Sequence, residues 1–273
     1  FLSVSGRCLS LFNNLNPTLE KQIAAATRAV DDARRIAHRD PARLGELVEH
    51  INALAELRQQ EGNFHKAESL YREALFRIQE TRTPDPQLIV GVYSLLAYLY
   101  DRWGKLKEAA EFYQKALDLG ARHGLHASEE VATVKNNLAM LYKGMKDYDR
   151  AAQYYQEALE EFRQLHGENC AEVASIYNNL GVLHYQNMEL ERALDMHLRA
   201  LRIRDSIDSE GHPGAASDLA QTCINLAAVH KALGDFQKAQ QCIEHARALS
   251  SGQGPAPAPL MRRSAELQLD ASA

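Results

Sequence analysis

The chain has 273 residues, of which 45% are hydrophobic and 25% are charged, the usual composition of a soluble globular protein. Its formal net charge of −5 argues against a nucleic-acid-binding protein, since such proteins are usually basic. No run approaches the roughly 18 apolar residues of a membrane span. The four cysteines (Cys8, Cys170, Cys223 and Cys242) form no CxxC pair, so we expect reduced thiols and a cytoplasmic location.

The N-terminal part of the sequence predicts a short segment followed by one helix. Residues 1–17 are poorly defined, and the mildly apolar FLSVSGRCLSLF lacks the layout of a signal peptide, although a targeting remnant stays open. The chain begins at Phe1 rather than methionine, which favours a fragment or a processed form. Residues 18–39 carry a helical apolar stripe, which predicts a capping helix or half-repeat over 18–42.

Residues 43–250 contain five copies of one pattern. Equivalent leucines lie 42, 42, 42 and 46 residues apart, at Leu54, Leu96, Leu138, Leu180 and Leu226. Alanines follow 13 and 20 residues after each leucine. Each copy predicts two helices, with the first helices over 43–60, 87–103, 127–144, 170–187 and 216–233. The predicted second helices cover 64–81, 106–122, 148–165, 190–206 and 236–250.

The turn between the two helices of each copy has its own signature. Glycine stands eight residues after the leucine in three copies, at Gly62, Gly104 and Gly234. Such a glycine ends a helix in the left-handed conformation. Lys146 and Met188 take its place in the other two copies. After the repeats, residues 251–273 are rich in proline and alanine, which predicts a largely disordered tail.

The order Leu-Ala or Leu-Gly, then Gly, an aromatic residue, Ala, Tyr and Ala resembles the tetratricopeptide repeat. The 42-residue period, with NNLAMLY, NNLGVLHY and the linkers LHGENCAEVA and SEGHPGAASDLA, is similar to the kinesin-light-chain-like subgroup. This resemblance implies an all-α fold, a right-handed α-solenoid of antiparallel helix pairs. It also implies a trough along the first helices in which such proteins bind peptide segments.

The adjacent residues Asn178 and Asn179 point to a function for the first helices. On a helical wheel they lie opposite Leu180 and the apolar stripe around it, so they point away from the core. Exposed helix faces usually favour Glu, Lys, Arg and Gln, whereas this face offers Asn, Val and Tyr. Repeat stacking aligns equivalent residues along one concave surface. A plain solvated face is the alternative interpretation.

Asparagine amides can pair with the backbone of an extended peptide, because each offers an acceptor and two donors. Apolar neighbours would then hold the peptide's side chains, and basic residues would meet acidic ones. Glu49, Glu56 and Asp101 interrupt the positive charge, which argues against a clamp for a terminal carboxylate. The predicted groove consists of Asn52, Tyr98, Arg102, Asn136, Asn137, Met140, Lys143, Asn178, Asn179, Val182, Tyr185, Asn225 and Lys231.

Catalytic and metal-binding patterns are weak in this sequence. His123 and His126 lack convincing further ligands for zinc. His184 and His197 occupy packing positions, Cys223 and Cys242 fit small buried hydrophobes, and Cys170 opens a helix that would lower its pKa. No nucleotide-binding, metalloprotease or hydrolase motif occurs. We therefore predict no enzyme activity, no cofactor and no metal site.

The sequence favours a protein–protein interaction adaptor or scaffold that binds a linear peptide motif of a protein partner. The alternative is a regulatory or oligomerisation domain of a larger signalling protein or enzyme, whose groove is occupied by its own tail or by another protomer. Homo-oligomerisation therefore stays open.

Overall fold

The computed structural model describes residues 18–125, 128–209 and 215–251. Within these ranges the chain forms α-helices and no strand. The helices are α1 Leu19–Arg39, α2 Leu44–Gln60, α3 Phe64–Gln79, α4 Pro86–Arg102, α5 Leu106–Arg122, α6 Glu129–Gly144, α7 Tyr148–His166, α8 Ala171–Gln186, α9 Leu190–Ser209, α10 Ala215–Ala232 and α11 Phe236–Ser250. The predicted segment 1–17 and nearly all of the predicted tail lie outside the described residues.

The helices pack in two compact units, which divide between Leu141 and Tyr142 near the end of α6. In the first unit, α1 packs on α2, α2 on α3, α3 on α4 and α4 on α5. The first helices α2 and α4 also contact each other. In the second unit, each helix from α7 to α11 packs on the next, and α8 contacts α10. This is the packing of a helical-repeat array, so the predicted all-α, tetratricopeptide-like fold is confirmed.

The ten repeat helices begin and end within three residues of the predicted bounds. Their register depends on the two alanine columns, which the structure buries in all five repeats: Ala67, Ala109, Ala151, Ala193 and Ala239, and Ala74, Ala116, Ala158, Ala200 and Ala246. A side chain of one methyl group lets neighbouring helices approach closely, and a larger one would overpack these contacts.

The turns between paired helices share one geometry in all five repeats. The residue eight positions after the leucine is left-handed, with φ of 82° at Gly62, 63° at Lys146 and 62° at Met188. The next N–H donates to the carbonyl five residues earlier at 2.8–2.9 Å. This bond satisfies a carbonyl at the helix end. Lys146 and Met188 adopt the glycine conformation despite their side chains, so the turn is retained at a cost in strain.

Candidate functional site

The predicted groove residues lie on the first helices and differ in exposure. The half-buried ones are Tyr98, Asn136, Asn137 and Met140 in the first unit and Lys143, Asn178, Asn179, Val182, Tyr185 and Asn225 in the second. Arg102 and Lys231 are exposed, whereas Asn52 is only 7% exposed. We name the side of the first helices that carries these residues the first-helix face of each unit.

In the second unit, the side-chain oxygen of Asn178 is within hydrogen-bonding distance of residues on two neighbouring helices. Its Oδ1 accepts a hydrogen bond from Nδ2 of Asn225 on α10 at 2.9 Å and lies 3.2 Å from Nδ1 of His197 on α9. Because this oxygen can only accept, Nδ1 of His197 carries the proton. The carbonyl of Asn178 is therefore used inside the fold, where it joins α8, α9 and α10.

His197 is a buried, neutral histidine. Its side chain is 1% exposed and packs on Gly181, where an added Cβ would lie 2.6 Å from the imidazole Cε1. Burial, and after it the positive charge of Arg204, lowers the pKa of His197 to about 4. The predicted packing role is therefore confirmed. His197 also belongs to the site, because it orients Asn178, and the sequence analysis missed that connection.

Arg204 is a second polar residue that the sequence analysis missed. It is buried on α9 and donates to the backbone oxygen of Asp218 at 2.7 Å and to the hydroxyl of Thr222, both on α10. It also donates to the Ser175 hydroxyl on α8 at 3.4 Å. Burial lowers the pKa of this guanidinium, and its acceptors compensate for the lost hydration. Arg204 thus holds α8 and α10 in register beneath the first-helix face.

The first unit carries a half-buried carboxyl group at Glu56 on α2. Burial raises the pKa of Glu56 to about 7. The electrostatic influence of Glu56 reaches the phenols of Tyr71 and Tyr98, whose pKa values burial also raises. One turn earlier on α2, Asn52 is buried, and its Oδ1 has no hydrogen-bond partner among the described residues. From the sequence, Glu56 was only an interruption of positive charge, and Asn52 was expected at the surface.

Two further charged groups of the first-helix face, Asp101 and Lys143, have shifted pKa values. Burial raises the pKa of Asp101 on α4, and the neighbouring Arg102 opposes that shift. In the second unit, burial lowers the pKa of Lys143. The face therefore combines amides and apolar side chains with partly desolvated charges, whose interactions are stronger than those of fully hydrated ones.

The thiols and the remaining candidate groups fit structural roles. Cys223 and Cys242 are buried, and burial raises their pKa values to about 12 and about 11. The prediction for Cys170 was wrong, because burial raises the pKa of this thiol more than its helix position lowers it. His184 lies 2.7 Å from Glu189 at a turn, as expected of a satisfied histidine.

The described residues hold no cluster of three or more His, Cys, Asp or Glu side chains that could bind a metal ion. Among the described helices, none combines the length and the apolar character that a membrane span requires. The predicted lack of enzyme activity and of cofactors stays a prediction.

Comparison with known proteins gives the family. A tetratricopeptide-repeat family model matches residues 47–120 and 130–206, and a second tetratricopeptide-repeat model matches residues 220–250. The crystal structure of BtubC (BKLC) from P. vanneervenii is 55% identical, with a TM-score of 0.80, and the match covers 89% of this chain and 96% of that one. No curated protein sequence matches the chain.

More distant structures show the fold alone. The nearly identical tetratricopeptide-like repeats of a Podospora anserina putative kinesin light chain are 18% identical, with a TM-score of 0.61. That match covers 74% of this chain and 94% of that one. The Rap conjugation gene regulator of plasmid pLS20, solved in complex with the Phr* peptide, is 20% identical, with a TM-score of 0.55 and coverage of 74% and 54%. The chain belongs to the tetratricopeptide-repeat family, and its fold is similar to that of the kinesin-light-chain-like repeats.

Proposed function

We propose that the chain is a protein–protein interaction adaptor or scaffold whose first-helix face binds an extended peptide segment of a partner protein. The observation that carries this proposal is the composition of the half-exposed first-helix face in each unit. Asparagine amides lie there beside tyrosine, methionine and valine side chains, where a solvated helix would favour charged residues. Amides bind peptide backbone regardless of sequence, and the apolar neighbours add contacts for side chains.

In the second unit, the face is a stripe along α8. Asn179, Val182 and Tyr185 are spaced three residues apart and are all half-exposed, so one face of the helix presents them together. Asn178 does not read the peptide in this account, because its carbonyl is bonded to Asn225 and His197. It positions α8 against α10.

In the first unit, the corresponding groups lie on α4 and α6. Asn136 and Met140 are one helical turn apart, so an amide and an apolar thioether share one side of α6. Tyr98 on α4 adds a half-buried aromatic ring. Arg102 adds an exposed positive charge, which would pair with an acidic residue of the peptide.

The comparisons support the proposal only through the fold. A protein of the same fold is known in complex with a peptide, the Rap regulator with the Phr* peptide. That complex is an example of a helical-repeat protein that binds a peptide. The residues that recognise the peptide have to be tested in this chain.

The direct test is a binding experiment with matched variants. Random linear peptides are selected on the full chain by phage display, and enriched peptides are measured by fluorescence anisotropy. Val182→Glu places a charge in the apolar stripe and should weaken binding by at least about tenfold. The control is Phe76→Glu, since Phe76 is 57% exposed on a second helix, α3, away from the first-helix face. Equal effects of both variants would refute the proposed site.

The alternative function is tested with the same peptides. If the groove of this chain is filled by its own C-terminal residues, deletion of residues 251–273 should raise the affinity for the selected peptides. An adaptor with an open groove should bind with unchanged affinity. Light scattering on both forms reports whether the deletion also changes the oligomeric state.

A further inference from the structure

The first unit places a half-buried carboxyl group and an unsatisfied carbonyl close together on its first-helix face. Glu56 is half-buried, and no cation in the described ranges forms an ion pair with it. Asn52 is buried four residues earlier on α2, and its Oδ1 lacks a donor among those same residues. Residues four apart lie on the same helix face, so the carboxyl group and the orphaned carbonyl share one side of α2. We name the place where Asn52, Glu56 and Tyr98 lie the recess.

The helices α3 and α4 pack on α2 beside these residues. Tyr98 on α4 and Tyr71 on α3 both experience the charge of Glu56. On α1, Arg34 is already paired with Glu73 of α3 at 2.7 Å, so it does not neutralise the carboxyl group of Glu56. The recess therefore presents negative charge to whatever lies over α2 and α4.

Resting on the peptide-binding function proposed above, we propose that the recess of Asn52, Glu56 and Tyr98 takes the side chain of a lysine or arginine from the partner peptide. A cation is the ligand that this chemistry favours, because lysine and arginine carry only donors, whereas the Glu56 carboxylate and the Asn52 carbonyl can only accept. Hydrogen bonds between an ammonium or guanidinium group and a carboxylate are about twice as strong as neutral ones. A glutamate of the peptide would be repelled at the same place.

The protonation of Glu56 should make the affinity for a basic peptide depend on pH. Because burial raises the pKa of Glu56 to about 7, roughly half of the free chain is neutral there at pH 7. A bound cation favours the carboxylate, so binding releases a proton and the affinity rises with pH. Between pH 6 and pH 8 the rise is about tenfold. Tyr71 and Tyr98 stay neutral over this range, since burial raises their pKa values above 10.

The experiment uses synthetic peptide libraries on the full chain. Each library is degenerate except at one position, which is fixed in turn as lysine, arginine, norleucine, glutamine or glutamate. At one position, the lysine and arginine libraries should bind about tenfold more tightly than the norleucine library. Glu56→Gln should abolish both this preference and the rise in affinity between pH 6 and pH 8. The control, Glu108→Gln, removes an exposed carboxylate from a second helix, α5, and should change neither.

The outcomes separate this inference from the proposed function. If no library binds, the peptide-binding function itself fails. If libraries bind without a basic preference, or if Glu56→Gln keeps the preference, peptide binding stands and the cation recess is wrong. Circular dichroism verifies that Glu56→Gln is folded. Should that variant be unfolded, a flat pH profile of the wild-type chain with the lysine library would still overturn the inference.

Discussion

Nδ2 of Asn225 donates a hydrogen bond to Oδ1 of Asn178 at 2.9 Å, which joins the first helices of the last two repeats. The same oxygen lies 3.2 Å from Nδ1 of His197 on the intervening helix. One asparagine of the NNLGVLHY stretch is therefore a structural residue, and its neighbour Asn179 faces the proposed peptide site.

Removal of the Asn178 amide should destabilise the fold. In Asn178→Ala, the donors of Asn225 and His197 lose their acceptor, and we expect the free energy of unfolding to fall by about 1–3 kcal/mol. Urea unfolding followed by circular dichroism measures the change. Asn137→Ala is the control, because no hydrogen bond of its half-buried side chain to another described residue is found. Equal losses in both variants would argue against the network.

Gly181 should not tolerate a side chain. A Cβ there would lie 2.6 Å from the ring of His197, so Gly181→Ala must displace the histidine from Asn178. We expect a loss of about 1–3 kcal/mol in the free energy of unfolding. The matched control is Gly91→Ala in α4, where a Cβ meets no atom within 4 Å. That change should stabilise the chain by about 0.4–1 kcal/mol, and a loss of the same size in both would refute the packing argument.

The stability of the chain should depend on pH through His197. In the unfolded chain its pKa is near 6.5, and in the folded chain it is about 4. Between these values the unfolded chain holds a proton that the folded chain does not. The free energy of unfolding therefore falls as the pH is lowered from 6.5 to 4, by roughly 3 kcal/mol at most, and the contribution is complete above pH 6.5.

The variant His197→Gln isolates this effect, because glutamine keeps an N–H donor for Asn178 but does not titrate in this range. Unfolding curves at several pH values should show a smaller pH dependence in the variant than in the wild-type chain. Parallel curves would mean that His197 is protonated in the folded chain as easily as in the unfolded one.

The left-handed turns predict two stabilising substitutions. Lys146 and Met188 have φ of 63° and 62°, where glycine carries no steric penalty. Lys146→Gly and Met188→Gly should each raise the free energy of unfolding by about 0.5–1 kcal/mol. Gly62→Ala, at φ of 82°, should have the opposite effect. Thermal unfolding compares the three, and stabilisation by the alanine would contradict the account.

The sequence was sufficient for the repeat register and the helix bounds, because five copies of one pattern constrain each other. It predicted that Asn178 and Asn179 both point away from the core, whereas Asn178 is bonded to the buried His197 and only Asn179 remains a candidate for the peptide site. A helical wheel gives the direction of a side chain from its own axis but not the atoms it meets on the next helix. A helical wheel therefore could not predict the hydrogen bond that Asn225, 47 residues away, donates to Asn178.

A sequence signal did exist for His197. It stands where three other repeats carry tyrosine, at Tyr71, Tyr113 and Tyr155, and Gly181 stands where the other repeats carry alanine. This paired departure fits a ring that packs on a residue without a side chain. No comparable signal marks Glu56 or Arg204, since their pKa shifts arise from burial against other helices.

Photo-crosslinking tests whether the first-helix face binds the partner peptide. The photoreactive residue p-benzoylphenylalanine replaces Val182 on the first-helix face or, as a control, Phe76 on the second helix α3, and each chain is irradiated with the selected peptides. If the face binds the peptide, position 182 should form crosslinks that excess unlabelled peptide abolishes, and position 76 should form none. Crosslinks from position 76 with none from position 182 would contradict binding at this face.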